Sequence, residues 1–133
     1  MDARPASLVL VVDDDVRSTR VLARMLREDG FDVDLAIDGA AAISRLARTP
    51  IPDALVTDLQ LPHADGVAVA RYARSRRHGL PVLVVTAYPE LVSRHPDALD
   101  PAPTVLNKPI DYAVLSEALR RVTGRMTVPD GKK

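Results

Sequence analysis

The sequence has no cysteine, which removes disulfides, zinc–thiolate sites and thiol catalysis together. It has no excess of charge of either sign, because 18 basic residues face 18 acidic ones for a net charge of zero at pH 7. The strong basic excess of a nucleic-acid binder is therefore missing, and no nucleic-acid partner is expected. No apolar run reaches the roughly 18 residues that span a bilayer. The first residues, Met1-Asp2-Ala3-Arg4-Pro5, lack the basic-then-apolar layout of a secretory leader. A soluble cytoplasmic protein without membrane contact is expected. Neither common Gly-rich phosphate loop is present, so nucleotide binding is not expected. Lysine is scarce as well: Lys132 and Lys133 lie at the C-terminus, and Lys108 stands alone in the body of the chain against fifteen arginines. A single internal lysine in so Arg-rich a chain suggests a position that needs an ammonium; chance codon use is the other explanation.

What is there is apolar and regular. Hydrophobic residues make up 47% of 133 positions, enough for one domain with a real core and too many for a disordered chain. Short apolar runs alternate with amphipathic stretches five times. Leu8 to Val12 is a continuous run that suits a central parallel strand buried on both faces. A helix follows from Val16 to Asp29, on the spacing of Leu22, Met25, Leu26 and Asp29, with Gly30 as its stop. Asp32 to Leu35 alternates like an edge strand. A short helix over Gly39 to Arg48 should turn Ile43, Leu46 and Ala47 inward, and Pro50 and Pro52 end it. Ala54 to Thr57 is a third strand running into Asp58. Asp65 can cap a helix over Gly66 to Arg77 that buries Val69, Ala70 and Ala73. Val82 to Thr86 is a fourth strand and Thr104 to Asn107 a short fifth. Between them, Pro89, Pro96, Pro101 and Pro103 leave room only for a short helix, Glu90 to His95. Asp111 caps a last helix with Leu115, Ala118, Leu119 and Val122 on one face. The expected domain is 7–123, with flexible termini at 1–6 and 124–133.

Five such units imply an α/β doubly wound parallel sheet with helices on both faces and right-handed crossovers. In open sheets of this kind ligands sit beyond the carboxyl ends of the strands. Four of the five strand ends carry polar groups: Asp13-Asp14-Asp15, Asp58, Thr86 and Lys108. Carboxylates from adjacent strands about 5 Å apart would repel by roughly 3 kcal/mol per pair at an effective dielectric near 20. A counter-charge is needed, and Lys108 with a hard divalent ion supplies it. Mg²⁺ suits oxygen ligands, one or two carboxylates and a phosphate, with Mn²⁺ the other candidate. In such a site a carboxylate attacks phosphorus while the developing charge is held, Thr86 meets a phosphoryl oxygen, and a compact ammonium can pair with either partner. Taken singly, Asp13 to Asp15 read equally as helix N-caps and Asp58 as the start of a turn.

These residues resemble the receiver domain of two-component response regulators over roughly 7–123. The acidic pair is Asp13-Asp14. The acceptor motif Asp-x-x-x-Pro-x-x-Asp-Gly is complete as Asp58-Leu59-Gln60-Leu61-Pro62-His63-Ala64-Asp65-Gly66. The switch Thr with its small neighbour is Thr86-Ala87, and the Lys-Pro pair is Lys108-Pro109. The resemblance implies a flavodoxin-like sheet in the order 2-1-3-4-5 with five helices, the fourth short or irregular. It implies phosphoryl transfer to Asp58 from a phosphohistidine on a sensor histidine kinase or histidine phosphotransfer protein. Asp13, Asp14, Asp58 and the Gln60 backbone carbonyl would serve the metal, and the domain would catalyse only its own phosphorylation and dephosphorylation.

Two departures from the family pattern stand out. Val105 occupies the place, three residues before the lysine, where receivers usually carry Tyr or Phe. Prolines replace the Gly-Ala common before the fifth strand, so activation is expected to order the 88–103 segment instead of rotating a ring. Tyr88 either hangs over the acceptor and slows hydrolysis or is a surface tyrosine. Arg17, Arg20, Arg24 and Arg27 form a row along the first helix, either a solvated face or a dock for an acidic partner. His63, His78 and His95 read as surface residues, with His63 nearest the site. Two rivals remain: a degenerate receiver that binds partners without phosphorylation, and a haloacid-dehalogenase-type phosphatase. The second would need an Asp where Gln60 stands, and a cap domain.

Overall fold

Val9 to Val12 in strand β1 (Leu8–Val12) are all buried, as a run of LVLVV without a polar break demands when both faces are covered. The computed structural model describes residues 6–61, 65–94 and 101–124. After β1 come helix α1 (Val16–Glu28), strand β2 (Asp32–Ala36), helix α2 (Gly39–Leu46), strand β3 (Ala54–Thr57), helix α3 (Gly66–Arg76) and strand β4 (Val82–Thr86). A 3₁₀ helix (Pro89–Arg94), strand β5 (Thr104–Asn107) and helix α4 (Tyr112–Thr123) complete the fold. The sheet order is β2-β1-β3-β4-β5, and every pair is parallel. The doubly wound order 2-1-3-4-5 expected from the sequence is the observed one. Among the described residues five helices flank the sheet, the fourth of them a short 3₁₀ turn.

Strand alternation divides the core into two layers. Leu10, Val12, Leu55, Val82 and Val84 face α2 and α3, meeting Ala42, Leu46, Val69, Ala70 and Ala73. Val9, Val11, Val56, Leu83 and Val85 face α1 and α4, meeting Leu22, Leu26, Leu115 and Leu119. Each fully buried Leu or Val contributes on the order of 1.5–3 kcal/mol. Leu91 and Val92 of the 3₁₀ helix pack against the first layer from outside, yet none of its residues is buried.

All four α-helices begin with an aspartate whose side chain accepts from the first turn: Asp15, Asp38, Asp65 and Asp111. Such caps are worth about 1 kcal/mol each. Asp65 and Asp111 are where the sequence puts them, and Asp38 is an addition. Gly30 at φ 95° and Gly124 at φ 76° take the left-handed conformation after α1 and α4, where a Cβ would be strained.

Some boundaries and faces differ from the sequence reading. Helix α2 stops at Leu46, so Ala47 is its exposed cap and Arg45 is buried instead. The Arg45 guanidinium donates to Asp34 at 2.7 Å and to the carbonyls of Arg48 and Pro50. A charge so fully met by partners can be buried where an unpaired one cannot. In α1 the buried stripe runs through Thr19, Leu22, Ala23 and Leu26. Met25 lies beside that stripe and is 37% exposed. Residues 1–5 and 125–133 of the expected termini, and Pro62, His63, Ala64, His95 and Pro96, lie outside the described residues.

Candidate functional site

Sheet register levels the strand ends. Val12 stands opposite Thr57, so the next residues, Asp13 and Asp58, emerge side by side. Thr86 stands opposite Asn107, and the Lys108 N–H donates to the Thr86 carbonyl at 3.0 Å. The Lys108 ammonium then reaches back across β4. Its Nζ lies 3.0 Å from Asp13 Oδ2 and 2.9 Å from Asp58 Oδ2. Two carboxylates and one ammonium thus share a cleft in which the Asp13 and Asp58 side chains are only 15% and 14% exposed. Burial pulls the Lys108 pKa down, but hydrogen bonds and charge from Asp58 and Asp13 outweigh it, and the amine is held above its usual range.

The loop after β3 is clamped from below. The Asp58 carbonyl accepts from Thr57 Oγ1 at 2.8 Å, and the Gly66 N–H donates to the Leu59 carbonyl at 2.8 Å. A Cβ on Gly66 would lie 2.0 Å from the Asp58 carbonyl oxygen and 2.8 Å from Leu59 Cα. Glycine is required there for close approach, in a helical first turn. The Asp58 side chain accepts through Oδ1 from the Gln60 N–H at 3.3 Å. Asp58 Oδ2 is therefore the oxygen held by cation and Oδ1 the one held by backbone.

The three acidic residues after β1 divide their work. Asp15 caps α1, and the N–H and hydroxyl of Ser18 hold its pKa low. Asp13 accepts the Asp15 N–H at 3.0 Å, which fixes its carboxylate toward Lys108. Asp14 is exposed and lines a cavity of about 480 Å³ with Gln60, Asp65, Leu91 and Arg94. The N-cap reading of the triplet thus holds for its third member alone. Asp13 and Asp58 are oxygen donors converging on one positive charge, the donor type that suits Mg²⁺. Among the described residues no group of three His, Cys, Asp or Glu is arranged to hold a metal.

Thr86 is buried at the end of β4, and its Oγ1 accepts from the Tyr88 N–H at 3.0 Å. Ala87 is exposed and Tyr88 is 52% exposed. Val105 lies opposite Val84 on β5 and is half-buried. A second groove, about 610 Å³, runs from Asp13 and Lys108 between α1 and the start of α4, past Arg17, Met25, Ile110 and Tyr112. Arg17, Arg20 and Arg24 are exposed, while Arg27 turns onto the Val33 carbonyl at 2.8 Å and leaves the row. His78 is exposed. Sequence reasoning missed the approach of Gly66 to Asp58, though the Asp65-Gly66 pair was in view. It also missed Tyr112, whose hydroxyl donates to Asp29 at 2.5 Å beside the Arg120–Asp29 ion pair. Burial and Asp29 push that phenol well above its ordinary pKa.

Comparison with known proteins gives a consistent family. Residues 9–120 match the response regulator receiver domain. The chain is 40% identical over 124 residues to the response regulator MprA of Mycolicibacterium vanbaalenii and 42% over 125 residues to MprA of Mycobacterium leprae. Each match covers 92% of this chain and 53% of the relative, so the chain spans about half the length of these curated relatives. Among solved structures, a response regulator receiver protein from Sinorhizobium medicae is 28% identical with a TM-score of 0.80, covering 90% of this chain and 95% of that one. No helix among the described residues is long and apolar enough to cross a membrane. With the sheet order, the strand-end residues and the match over residues 9–120 in agreement, this chain belongs to the response regulator receiver domain family.

Proposed function

We propose that residues 7–123 form a phosphoacceptor domain of a two-component relay, with Asp58 accepting a phosphoryl group from a phosphohistidine donor. The observation that carries this is the Asp13–Lys108–Asp58 arrangement, with Lys108 Nζ within 3.0 Å of both carboxylates. One Asp58 oxygen bonds to phosphorus as the P–N bond of the phosphohistidine breaks, and the departing imidazole takes up a proton. Lys108 moves its hydrogen bond from the carboxylate to the phosphoryl oxygens, and the Thr86 hydroxyl donates to another. Asp13, Asp14, Asp58 and the Gln60 carbonyl would hold Mg²⁺, which when bound offsets charge building on the equatorial oxygens. Two converging carboxylates are enough for an ion that keeps several waters. Ala87 and Tyr88, which follow Thr86, and Val105 on the neighbouring strand would modulate the step.

The phosphohistidine would come from a sensor histidine kinase or a histidine phosphotransfer protein. The groove between α1 and α4 opens directly onto Asp13 and Lys108, and Arg17, with Arg20 and Arg24 on the same helix, gives it a basic rim suited to an acidic partner. The rival reading is a binding module that needs no phosphorylation, favoured only by Val105 in place of the aromatic.

Acetyl phosphate with Mg²⁺ should add one phosphoryl mass to the wild-type chain and none to Asp58→Asn. Identical spectra for the two proteins would leave the binding module standing. Millimolar Mg²⁺ alone should raise the melting temperature of the wild type, and Asp13→Asn should blunt that rise. An unchanged melting temperature would remove the metal from this reading.

A further inference from the structure

The two edges of the sheet are finished differently. Strand β5 is entered through Pro101 and Pro103, residues that discourage pairing with a further strand. Strand β2 has no such guard toward its carboxyl end. The Asp32 N–H donates to the Ser7 carbonyl at 2.9 Å, and the Asp13 N–H donates to the Ala36 carbonyl at 3.1 Å. With the β1–β2 register, these bonds turn the backbone groups of Asp32, Asp34 and Ala36 toward β1. The C=O and N–H of one trans peptide point opposite ways. The Leu35 N–H, the Leu35 carbonyl and the Ile37 N–H therefore face away from the sheet. Lower on the edge, the Arg27 guanidinium covers the Val33 carbonyl, donating to it at 2.8 Å. Among the described residues nothing does the same at Leu35 or Ile37. The side chains at this open stretch are apolar: Leu35, Ile37 and Val16 are all exposed. Helical spacing sets Val16, Arg20, Arg24 and Arg27 along one flank of α1. Arg27 shows that this flank faces β2, while Val21 and Met25 line the groove on the other side. Arg20 and Arg24 are exposed, and neither has an acidic partner among the described residues.

We infer that the Leu35–Ile37 edge is a docking site for an extended acidic segment of a partner protein, which adds to the sheet beside β2. Main-chain hydrogen bonds to Leu35 and Ile37 supply the pairing, and the side chains on one face of the added strand supply the choice of partner. An apolar residue there covers Ile37 and Val16. Acidic residues two and four places along meet Arg20 and Arg24, which gives the charge complementarity that selects an acidic segment over a basic one. A second copy of this chain fits less well. A twofold pairing through Leu35 and Ile37 would set Asp34 of each copy opposite Asp38 of the other, and like charges so placed are unfavourable. Docking at this edge leaves the strand-end cleft free, because β1 lies between β2 and β3. The inference therefore does not depend on what Asp58 does.

The probe is an acetylated and amidated peptide, Thr-Val-Thr-Glu-Thr-Glu-Thr-Val-Thr, which carries its valines and glutamates on one face and reads alike from either end. Titrated into the full ¹⁵N-labelled chain, it should shift the Leu35 and Ile37 amides saturably. The same peptide with lysine for glutamate should bind about tenfold more weakly. Arg20→Glu combined with Arg24→Glu should reverse that order of the two peptides. Leu35→Pro removes one outward N–H while sparing the bonds to β1, and it should abolish the shift at Ile37. Should that variant not fold, the charge reversal decides alone, since both of its positions are exposed. Four results overturn the proposal. They are no saturable shift at the two amides, equal affinity for both peptides, an order unchanged by the charge reversal, and edge amides already protected from hydrogen exchange in the free monomer. A chain that sediments as a dimer, and as a monomer with Leu35→Pro, assigns the edge to a second copy and overturns it as well.

Discussion

The middle of the sheet and its β5 edge are built differently. Every residue of β3 and β4 is buried, whereas no residue of β5 is. The middle carries Asp13 and Asp58, and the Thr57 and Gly66 contacts fix the backbone at Asp58. The edge carries Lys108 just after a strand of four half-exposed or exposed residues, itself preceded by a 3₁₀ helix with no buried side chain. Phosphoryl transfer needs reacting atoms held in fixed positions, while a readout needs a segment that moves at low cost. The deeply buried strands lie on one side of β4 and the shallow segments on the other, with Thr86 at the boundary.

The sharpest test of the rigid side is Gly66→Ala. Its Cβ would collide with the Asp58 carbonyl and Leu59 Cα, both backbone, so neither can rotate away. A loss on the order of 4 kcal/mol is expected, seen as a large drop in the chemical denaturation midpoint. A loss under about 1 kcal/mol would mean the loop after Asp58 yields easily and the middle is not rigid. The comparison is next broken or kept by truncating one leucine on each side. Leu83→Ala, in a fully buried site on β4, should cost about 3 kcal/mol, and Leu106→Ala, half-buried on β5, about 1 kcal/mol. Equal costs would erase the distinction between middle and edge.

A smaller effect separates the two sides by pH. Lys108 is held above its ordinary 10.5 in the fold. Its contribution to stability is therefore full below pH 10.5 and is lost as pH rises through the higher folded value. The stability gap between wild type and Lys108→Met should be flat from pH 7 to about 10 and shrink above that. Urea unfolding across that range measures it, and a gap that closes near neutrality would show that Lys108 is not engaged by the two carboxylates.

Much of this was written in the order of residues. LVLVV and VLVVT have no polar face, so they can only be strands covered on both sides. An Asp, Thr or Lys following such a run is forced to the carboxyl end of the sheet, where ligands bind. Asp13, Asp58, Thr86 and Lys108 were legible for that reason, as were the caps Asp65 and Asp111. The four prolines from Pro89 to Pro103 likewise forecast a broken fourth helix, and a 3₁₀ turn is what forms. Arg45 was not legible: its burial depends on Asp34 from β2 and on two carbonyls after α2, which meet it only in three dimensions. The same holds for Arg27 on the Val33 carbonyl and for Tyr112 on Asp29, 83 residues apart in sequence. Pattern fixed which residues lie at the strand ends. Only the parallel register decided that Asp13 and Asp58 would stand side by side and share one ammonium.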